Sequence, residues 1–368
     1  MMKYYSLENI LKEKAQYNII IGERSNGKTY SVLEFSLKEY CEKGHQLAII
    51  RRYLDDFTGK RGRQMFDAII ANNLVFKYSK GKYNTITYYA STWYLGYYDE
   101  KTKKTTPAPE PFCYAFSLNS VEHDKSTAYP KVKNILFDEF LSRMGYLTNE
   151  FVLFMNTLST IIREKDDVRI FMLGNTVNKY SPYFKDMGLT NIDKMKQGTI
   201  DLYTYGDTDL RVAVEYCAAT KKGKKSDKYF AFNNPKLSMI TSGTWEISIY
   251  PHLPVEKYYP KDIKAYYFII FEENILQCEI IQIPEKQMLF TYIHRKTTPI
   301  QNEYKDKIYS QKFTSNLNVS RRISKPTNEF EKRIWWFFVN DRVFYQDNEV
   351  GEIVRNFVQW SKSEVNFV

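Results

Sequence analysis

The stretch Gly22-Glu23-Arg24-Ser25-Asn26-Gly27-Lys28-Thr29 constrains this chain more than any other feature. Its spacing is Gly-x-x-x-x-Gly-Lys-Thr, and it follows the apolar run Asn18–Ile21. A glycine-bearing loop between a buried strand and a helix lets successive backbone N–H groups turn toward phosphates. In that arrangement Lys28 reaches the β and γ phosphates, and the Thr29 hydroxyl becomes a ligand to Mg2+. The helix that begins there adds its positive dipole end. The pattern predicts a nucleoside triphosphate site, with Gly22, Glu23, Arg24, Ser25, Asn26, Gly27, Lys28, Thr29 and Tyr30 around the nucleotide.

The flanking segments supply the frame. Ser6–Gln16 predicts a short helix with Ser6 as its cap. Thr29–Tyr40 predicts a second helix, with apolar positions at Val32, Leu33, Phe35 and Leu37, closing at Gly44. Leu47–Ile50, Asn134–Phe137 and Val168–Leu173 read as buried strands, and about 149–163 as a helix between the last two. Strands alternating with helices imply a mostly parallel sheet. Residues 74–98 alternate as hairpin strands do, 101–111 reads as a turn-rich excursion, and Asp55–Gln64 as a basic, glycine-bearing loop.

The run Asn134–Phe137 ends in Asp138-Glu139. An acid at such a strand end belongs in the magnesium shell, and a second acid directly after it can polarise the attacking water. About 110 residues after a complete phosphate loop, this pair points to hydrolysis. No Asn-Lys-x-Asp guanine signature is present, which favours ATP. Asn175, at the end of the next strand, is either a γ-phosphate sensor or a turn cap. Arg163 ends the intervening helix. Its two readings are a partner of the helix dipole and an arginine finger for a neighbour's ATP.

Composition bounds the rest. The chain has 368 residues, 43% of them hydrophobic, enough for two domains. The net charge of +10 suits a polyanionic partner and equally suits self-repulsion in solution. Cys41, Cys113, Cys217 and Cys278 form no Cys-x-x-Cys pair, which argues against zinc and a disulfide framework. The N-terminus has no apolar signal core and no run reaches membrane-spanning length, so an intracellular chain without a membrane partner is expected. Composition shifts near 218, where Ala219–Lys228 carries five lysines in ten residues. The expected organisation is a nucleotide domain over 1–217, a basic linker over 218–242 and a smaller α+β domain over 243–368. In the last, 245–250, 265–272, 276–283 and 288–293 predict antiparallel strands, followed by helices over about 328–340 and 347–361.

Several motifs together carry a family resemblance. They are Gly22-Glu23-Arg24 to Lys28-Thr29; Arg51-Arg52-Tyr53; Ala128-Tyr129-Pro130 to Phe137-Asp138-Glu139-Phe140; Arg163-Glu164-Lys165; and Asn175 to Pro182-Tyr183-Phe184. The chain resembles the DNA encapsidation ATPases of small podophages, a terminase-like branch of P-loop motors. The match is dense over about 17–185 and looser to the C-terminus, where DRVFYQDNEVGEIVRNF is similar to the family's last helix.

The resemblance implies an ASCE-type P-loop ATPase domain, then an RNase H-like domain without nuclease acids. It implies a homo-oligomeric ring, usually a pentamer, at the portal (connector) of an empty prohead, using ATP and Mg2+ to drive double-stranded DNA inward. It places such a motor in the host cytoplasm, transiently at the portal vertex and not in the mature virion. A structural packaging RNA is a further possible partner. By motif position, Lys28 and Thr29 hold phosphate and metal, Asp138 holds the metal, Glu139 is the catalytic base, and Arg163 is a finger acting on a neighbour. Arg24 becomes an extra cation over the phosphates. The basic residues Lys60, Arg61 and Arg63, and the linker lysines Lys221, Lys222, Lys224 and Lys225, are the DNA-contact candidates; phosphate contacts of this kind carry no sequence specificity. The competing readings are another ring-forming translocase or helicase-like ATPase, a terminase-like nuclease, and a nucleic-acid-binding protein with a decayed phosphate loop.

Overall fold

The apolar run before the phosphate-loop motif becomes a strand because it is apolar on both faces. In the computed structural model, Ile19, Ile20 and Ile21 are fully buried, and each such side chain contributes about 1.5–3 kcal/mol. A strand buried on both faces belongs inside a parallel sheet. The structure describes residues 5–120, 127–143, 145–218, 245, 248–312 and 314–363. They divide into two units: residues 1–143 with 149–246, and residues 144–148 with 247–368.

In chain order the first unit comprises α1 (Glu8–Lys12), β1 (Tyr17–Gly22), α2 (Lys28–Lys43), β2 (Gln46–Arg51), α3 (Gly59–Gln64), α4 (Asp67–Ala71) and α5 (Leu74–Tyr78). Then come β3 (Thr85–Tyr89), β4 (Thr92–Asp99), β5 (Lys104–Pro107), β6 (Cys113–Ser117), β7 (Val132–Asp138), α6 (Glu150–Ile162), β8 (Arg169–Asn175), α7 (Pro182–Asp186), β9 (Thr199–Thr204) and β10 (Arg211–Tyr216). The described strands form one sheet in the order β3-β4-β6-β2-β7-β8-β1-β10-β9, with β5 on β4. From β6 through β10 the pairing is parallel. Strand β8 lies between β1 and β7, the inserted strand that marks the ASCE branch of P-loop folds.

The structure corrects several local expectations. Segment 55–64 is not a loop: a 3-10 turn over Leu54–Asp56 leads into α3. Tertiary contacts hold that helix. Trp93 Nε1 donates to Gly62 O at 2.8 Å, and a Cβ on Gly62 would come within 2.6 Å of the Tyr88 ring. Only the later part of 74–98 is a hairpin. Residues 74–78 are helical because Leu74 and Val75 bury there. Tyr78 Oη also donates to Glu34 Oε1 of α2 at 2.7 Å. The excursion at 101–111 contains β5, paired antiparallel to β4. The first helix is shorter than Ser6–Gln16, since Lys14 turns to φ 51°.

The second unit holds β11 (Ile263–Phe271), β12 (Asn274–Ile283), β13 (Met288–Arg295), β14 (Lys307–Ser310), β15 (Val319–Ser320), α8 (Glu329–Val339), β16 (Val343–Tyr345) and α9 (Asn348–Ser363). Its sheet order is β15-β14-β11-β12-β13-β16. The sheet is mixed rather than all antiparallel: β14 pairs parallel to β11, β15 to β14 and β16 to β13. The first five strands thus run 3-2-1-4-5, the RNase H-like arrangement. Residues 248–250 are not a strand. Tyr250 instead bonds α9, with its N–H on Asn348 Oδ1 at 2.9 Å and its hydroxyl on Glu352 Oε2 at 2.7 Å. Gly351 leaves room for that ring, as a Cβ there would approach it to 2.2 Å.

On β12, buried Glu279 accepts hydrogen bonds from Tyr258 at 2.6 Å and Gln277 at 2.9 Å, and faces His294 Nε2 of β13 at 3.3 Å. Burial raises the Glu279 carboxyl, but the hydrogen bonds outweigh it and leave the group below its ordinary 4.5. His294 is raised above 6.5, chiefly by its hydrogen bond to Glu279. A depressed carboxyl contributes stability above its unfolded value, and a raised histidine contributes below its own. The pair therefore stabilises fully between about 4.5 and 6.5, and its contribution fades as pH rises through the folded His294 value. His294→Gln should cost about 1 kcal/mol at pH 6 and much less at pH 9. Denaturant melts of variant and wild type at both pH values check this; a pH-independent difference would contradict it.

Candidate active site

Two glycines shape the loop after β1. A Cβ on Gly22 would lie 2.8 Å from Cys217 Cβ, where the chain leaving β10 donates from Cys217 N to Ile21 O at 2.8 Å. Gly27 has φ 92°, the left-handed conformation that side chains resist, and caps the start of α2. Ser25 shares that conformation at φ 59°. The loop thus delivers the chain into α2 at Lys28, whose first-turn N–H groups have no intrahelical acceptor.

The Lys28 ammonium is buried and folds onto this loop. Lys28 Nζ donates to Glu23 O at 2.6 Å, Asn26 Oδ1 at 3.2 Å, Gly22 O at 3.3 Å and Asn175 Oδ1 at 3.4 Å. Burial lowers its pKa, while the nearby Asp138 and Glu23 carboxylates oppose that shift. A phosphate oxygen is a stronger acceptor for a buried ammonium than these neutral oxygens, so the lysine is placed to exchange them for one. Glu23 and Asn26 are buried, Arg24 and Ser25 exposed, and Tyr30 half-buried with its hydroxyl accepting from Asn72 Nδ2 at 3.1 Å.

Parallel register brings in the acids. Gly22 of β1 sits opposite Asn175 of β8, and Leu173 of β8 opposite Asp138 of β7. Thr29 Oγ1 consequently donates to Asp138 Oδ1 at 3.1 Å. A hydroxyl and one carboxylate, both hard oxygen donors, fit Mg2+, which keeps several waters and takes its remaining ligands from substrate phosphates. Glu139 follows with φ 60° and a side chain 64% exposed, whereas Asp138 is buried. A non-glycine residue held at positive φ costs of order 1 kcal/mol and is common where a side chain must be aimed.

Arg51, at the end of β2, is a site residue that sequence reasoning placed only inside a motif. Its Nη2 donates to Asp138 Oδ2 at 2.5 Å, and its Nη1 reaches Glu139 Oε2 at 3.4 Å. The guanidinium thus spans both acids while Thr29 holds the other Asp138 oxygen. A cation entering between Thr29 and Asp138 competes with it electrostatically. No local sequence signal marks this contact: β2 pairs with β7 in the sheet, so the last residue of one strand lies beside the acidic end of the other.

The next residue, Arg52, turns the other way. It makes two hydrogen bonds to Glu150, both 2.7 Å, and one to Phe140 O at 2.9 Å; Tyr183 Oη also donates to Glu150 at 2.7 Å. This buried cluster joins the end of β2, the chain after Glu139, the start of α6 and the start of α7.

Arg163 is not part of this constellation. It caps the C-terminal end of α6, exposed, at φ 49° and ψ −118°, and donates to Thr127 O at 2.8 Å. Lys165 nearby donates to Tyr129 O and Val132 O, at the start of β7. Arg163 therefore lies at the end of the sheet where β7 begins, while Asp138 lies where β7 ends. The 13 residues of α6 separate them by about 20 Å. Lys60, Arg61 and Arg63 are exposed on α3, close after the exposed Tyr53 and Leu54. Lys221, Lys222, Lys224 and Lys225 lie outside the described residues.

These features define a class, a P-loop protein of the ASCE type. The model of the podovirus DNA encapsidation protein (Gp16) family matches residues 1–226, and the chain belongs to that family. It is 29% identical over 177 residues to the DNA packaging protein of Bacillus phage B103, covering 47% of this chain and 48% of that one. It is 26% identical over 188 residues to the DNA packaging protein of Bacillus phage phi29, covering 49% of each. The match thus spans about half the length of these curated relatives. Among solved structures, a chain of the Phi-28 gp11 DNA packaging motor superposes with a TM-score of 0.56 at 19% identity, covering 100% of both chains. A chain of the phi29 genome packaging motor assembly gives 0.53 at 19% identity, covering 96% of both. These two likenesses establish the fold.

Removing one partner of a buried, hydrogen-bonded ion pair leaves an uncompensated charge. Arg52→Ala should therefore destabilise the first unit by about 3–5 kcal/mol, measured by denaturant unfolding. A loss under about 1 kcal/mol, typical of an exposed pair, would show that the cluster is not the tie described.

Proposed function

We propose that the protein is the ATP-hydrolysing motor that translocates double-stranded DNA into a prohead through its portal. The observation that carries this reading is the Thr29–Asp138 contact at 3.1 Å, with Glu139 next in sequence, in a member of the encapsidation family. The motor domain is 1–217, joined by a basic linker over 218–242 to a docking domain over 243–368 that does not cut DNA. Among the described residues no helix is long and apolar enough to cross a membrane.

The geometry of the site supports the following roles. Lys28 leaves its loop carbonyls to hold the β and γ phosphates. Thr29 and Asp138 would hold Mg2+, which would neutralise phosphate charge. Glu139, exposed beside that pair, takes the proton of the attacking water. Asn175, already bonded to Lys28, orients the water or the γ-phosphate. Arg24, at the outer side of the loop, places a cation over charge developing in the transition state. Arg163 is too far from its own Asp138 to act there and serves the site of a neighbouring copy in a homo-oligomeric ring, a pentamer in our reading. Lys60, Arg61 and Arg63 contact DNA phosphates, as do the linker lysines. The portal is the docking partner, with a structural packaging RNA as a further candidate. The ring works in the host cytoplasm at the portal vertex and leaves before the virion matures.

The direct test is ATP-dependent packaging of DNA into purified proheads; no packaging with an ATP-hydrolysing preparation would refute the motor assignment. Lys28→Ala should lose nucleotide binding, whereas Glu139→Gln should bind ATP and turn over at least 100-fold more slowly. Wild-type affinity in the first, or wild-type turnover in the second, would remove that residue from its role.

A second experiment addresses Arg163. Arg163→Ala and Glu139→Gln subunits are each inactive on this account. Mixed together they form some interfaces with an intact Glu139 on one side and an intact Arg163 on the other. ATPase activity should reappear in the mixture. If it does not, Arg163 does not act across subunits.

A further inference from the structure

The chain ahead of β1 is fastened to the phosphate loop. Tyr5 N donates to Asn26 O at 3.0 Å, and Ser31 Oγ, in the first turn of α2, donates to Tyr5 O at 2.5 Å. The Tyr5 phenol donates to Glu215 Oε2 at 2.6 Å. Glu215 lies on β10, one residue before its end, and is 9% exposed. Among the described residues Tyr5 is its hydrogen-bond partner, which leaves the other carboxylate oxygen open. Burial raises both the phenol and the carboxyl, so the phenol stays a neutral donor. None of the chemistry assigned above uses either residue, although burying a carboxylate is costly unless it is paired or put to use.

The direction of the nucleotide decides what they face. The terminal phosphate belongs on the side of β8 and β7, where Asn175, Asp138 and Glu139 converge. Strand β10 flanks β1 on the opposite side. A triphosphate running through the loop with its γ end at Asp138 must lead its nucleoside out past the first turn of α2, toward Tyr5 and Glu215.

We propose that Tyr5 and Glu215 form the wall that receives the nucleobase. The Tyr5 ring stacks on the purine, and the open Glu215 oxygen accepts a hydrogen bond from the exocyclic amino group of adenine. The phenol, by holding the second oxygen, fixes the carboxylate plane. Inosine carries a carbonyl oxygen in place of that amino group, and two acceptors facing each other repel. The proposal rests on the ATPase reading and deepens it by naming what reads the base.

The test is a binding titration of the full chain with ATP, ITP and inorganic tripolyphosphate. The wild type should prefer ATP to ITP by about ten-fold or more, since a site built around a substrate hydrogen bond rejects the analogue that lacks it. Glu215→Gln can either donate or accept and should bring that ratio close to one, with tripolyphosphate affinity unchanged. Tyr5→Leu should weaken ATP and ITP alike by about ten-fold, the loss expected for one base–aromatic stack, and again spare tripolyphosphate. A ratio unmoved by Glu215→Gln, or a Tyr5→Leu variant that loses tripolyphosphate as much as ATP, would overturn the proposal and make the pair a support of the loop. A wild type that binds neither ATP nor tripolyphosphate would instead bring down the nucleotide reading itself.

Discussion

The candidate site depends on one constraint, the parallel register of β7, β8 and β1. Backbone hydrogen bonds set Gly22 opposite Asn175 and Asp138 opposite Leu173. Because all three strands point the same way, their carboxyl ends finish on one edge of the sheet. Ligands of open α/β sheets bind at that edge, where the chain reverses its winding. A slip of one residue in β7 would carry Asp138 to the other face of the sheet and break its 3.1 Å contact with Thr29. The burial of Ile19, Ile20, Ile21, Ile135, Leu136 and Phe137 resists that slip.

Two adjacent arginines then divide the work at the end of β2. Side chains alternate across a strand, so Arg51 and Arg52 leave in opposite directions. Arg51 spans Asp138 and Glu139. Arg52 enters the buried cluster with Glu150, Phe140 and Tyr183. The chain next passes through the exposed Tyr53 and Leu54 into α3, which carries Lys60, Arg61 and Arg63. A displacement at that basic helix is therefore one short segment away from the groups that contact the paired acids. Tertiary ties such as Trp93 to Gly62 O keep the segment from moving independently of the sheet.

Much of this was legible in the sequence where the signal is local. The strand before Gly22, the helix from Lys28 to Gly44 and the strand ending in Asp138-Glu139 all follow from short apolar runs next to glycine or acid. Other elements depended on partners far along the chain. Segment 55–64 is helical because Gly62 packs under Tyr88 and accepts from Trp93, residues some thirty positions away. The alternation belongs to 74–98 as a whole; the first five residues, Leu74 to Tyr78, open on three apolar side chains in a row, and contact with α2 makes them a helix. The antiparallel reading of the second unit missed β14 and β16, because parallel pairing to β11 and β13 leaves no turn signature. Strands β9 and β10 likewise lie outside the expected strands, although β10 borders the phosphate-loop strand and contributes Glu215.

By itself the sequence determined the candidate groups: the identity and spacing of Gly22 to Thr29, and an acid pair after an apolar run. It could do so because a phosphate loop and a strand end are built from consecutive residues, whose chemistry is written in order. Only the tertiary structure decided which groups meet. It put Arg51 on the acids, Tyr5 on Glu215 and Arg163 at the opposite end of the sheet from Asp138. Those relations come from strand order and from a helix that returns along the sheet, so they join residues 36 to 210 positions apart. No local pattern encodes such distances, because sheet order is settled by which faces bury one another.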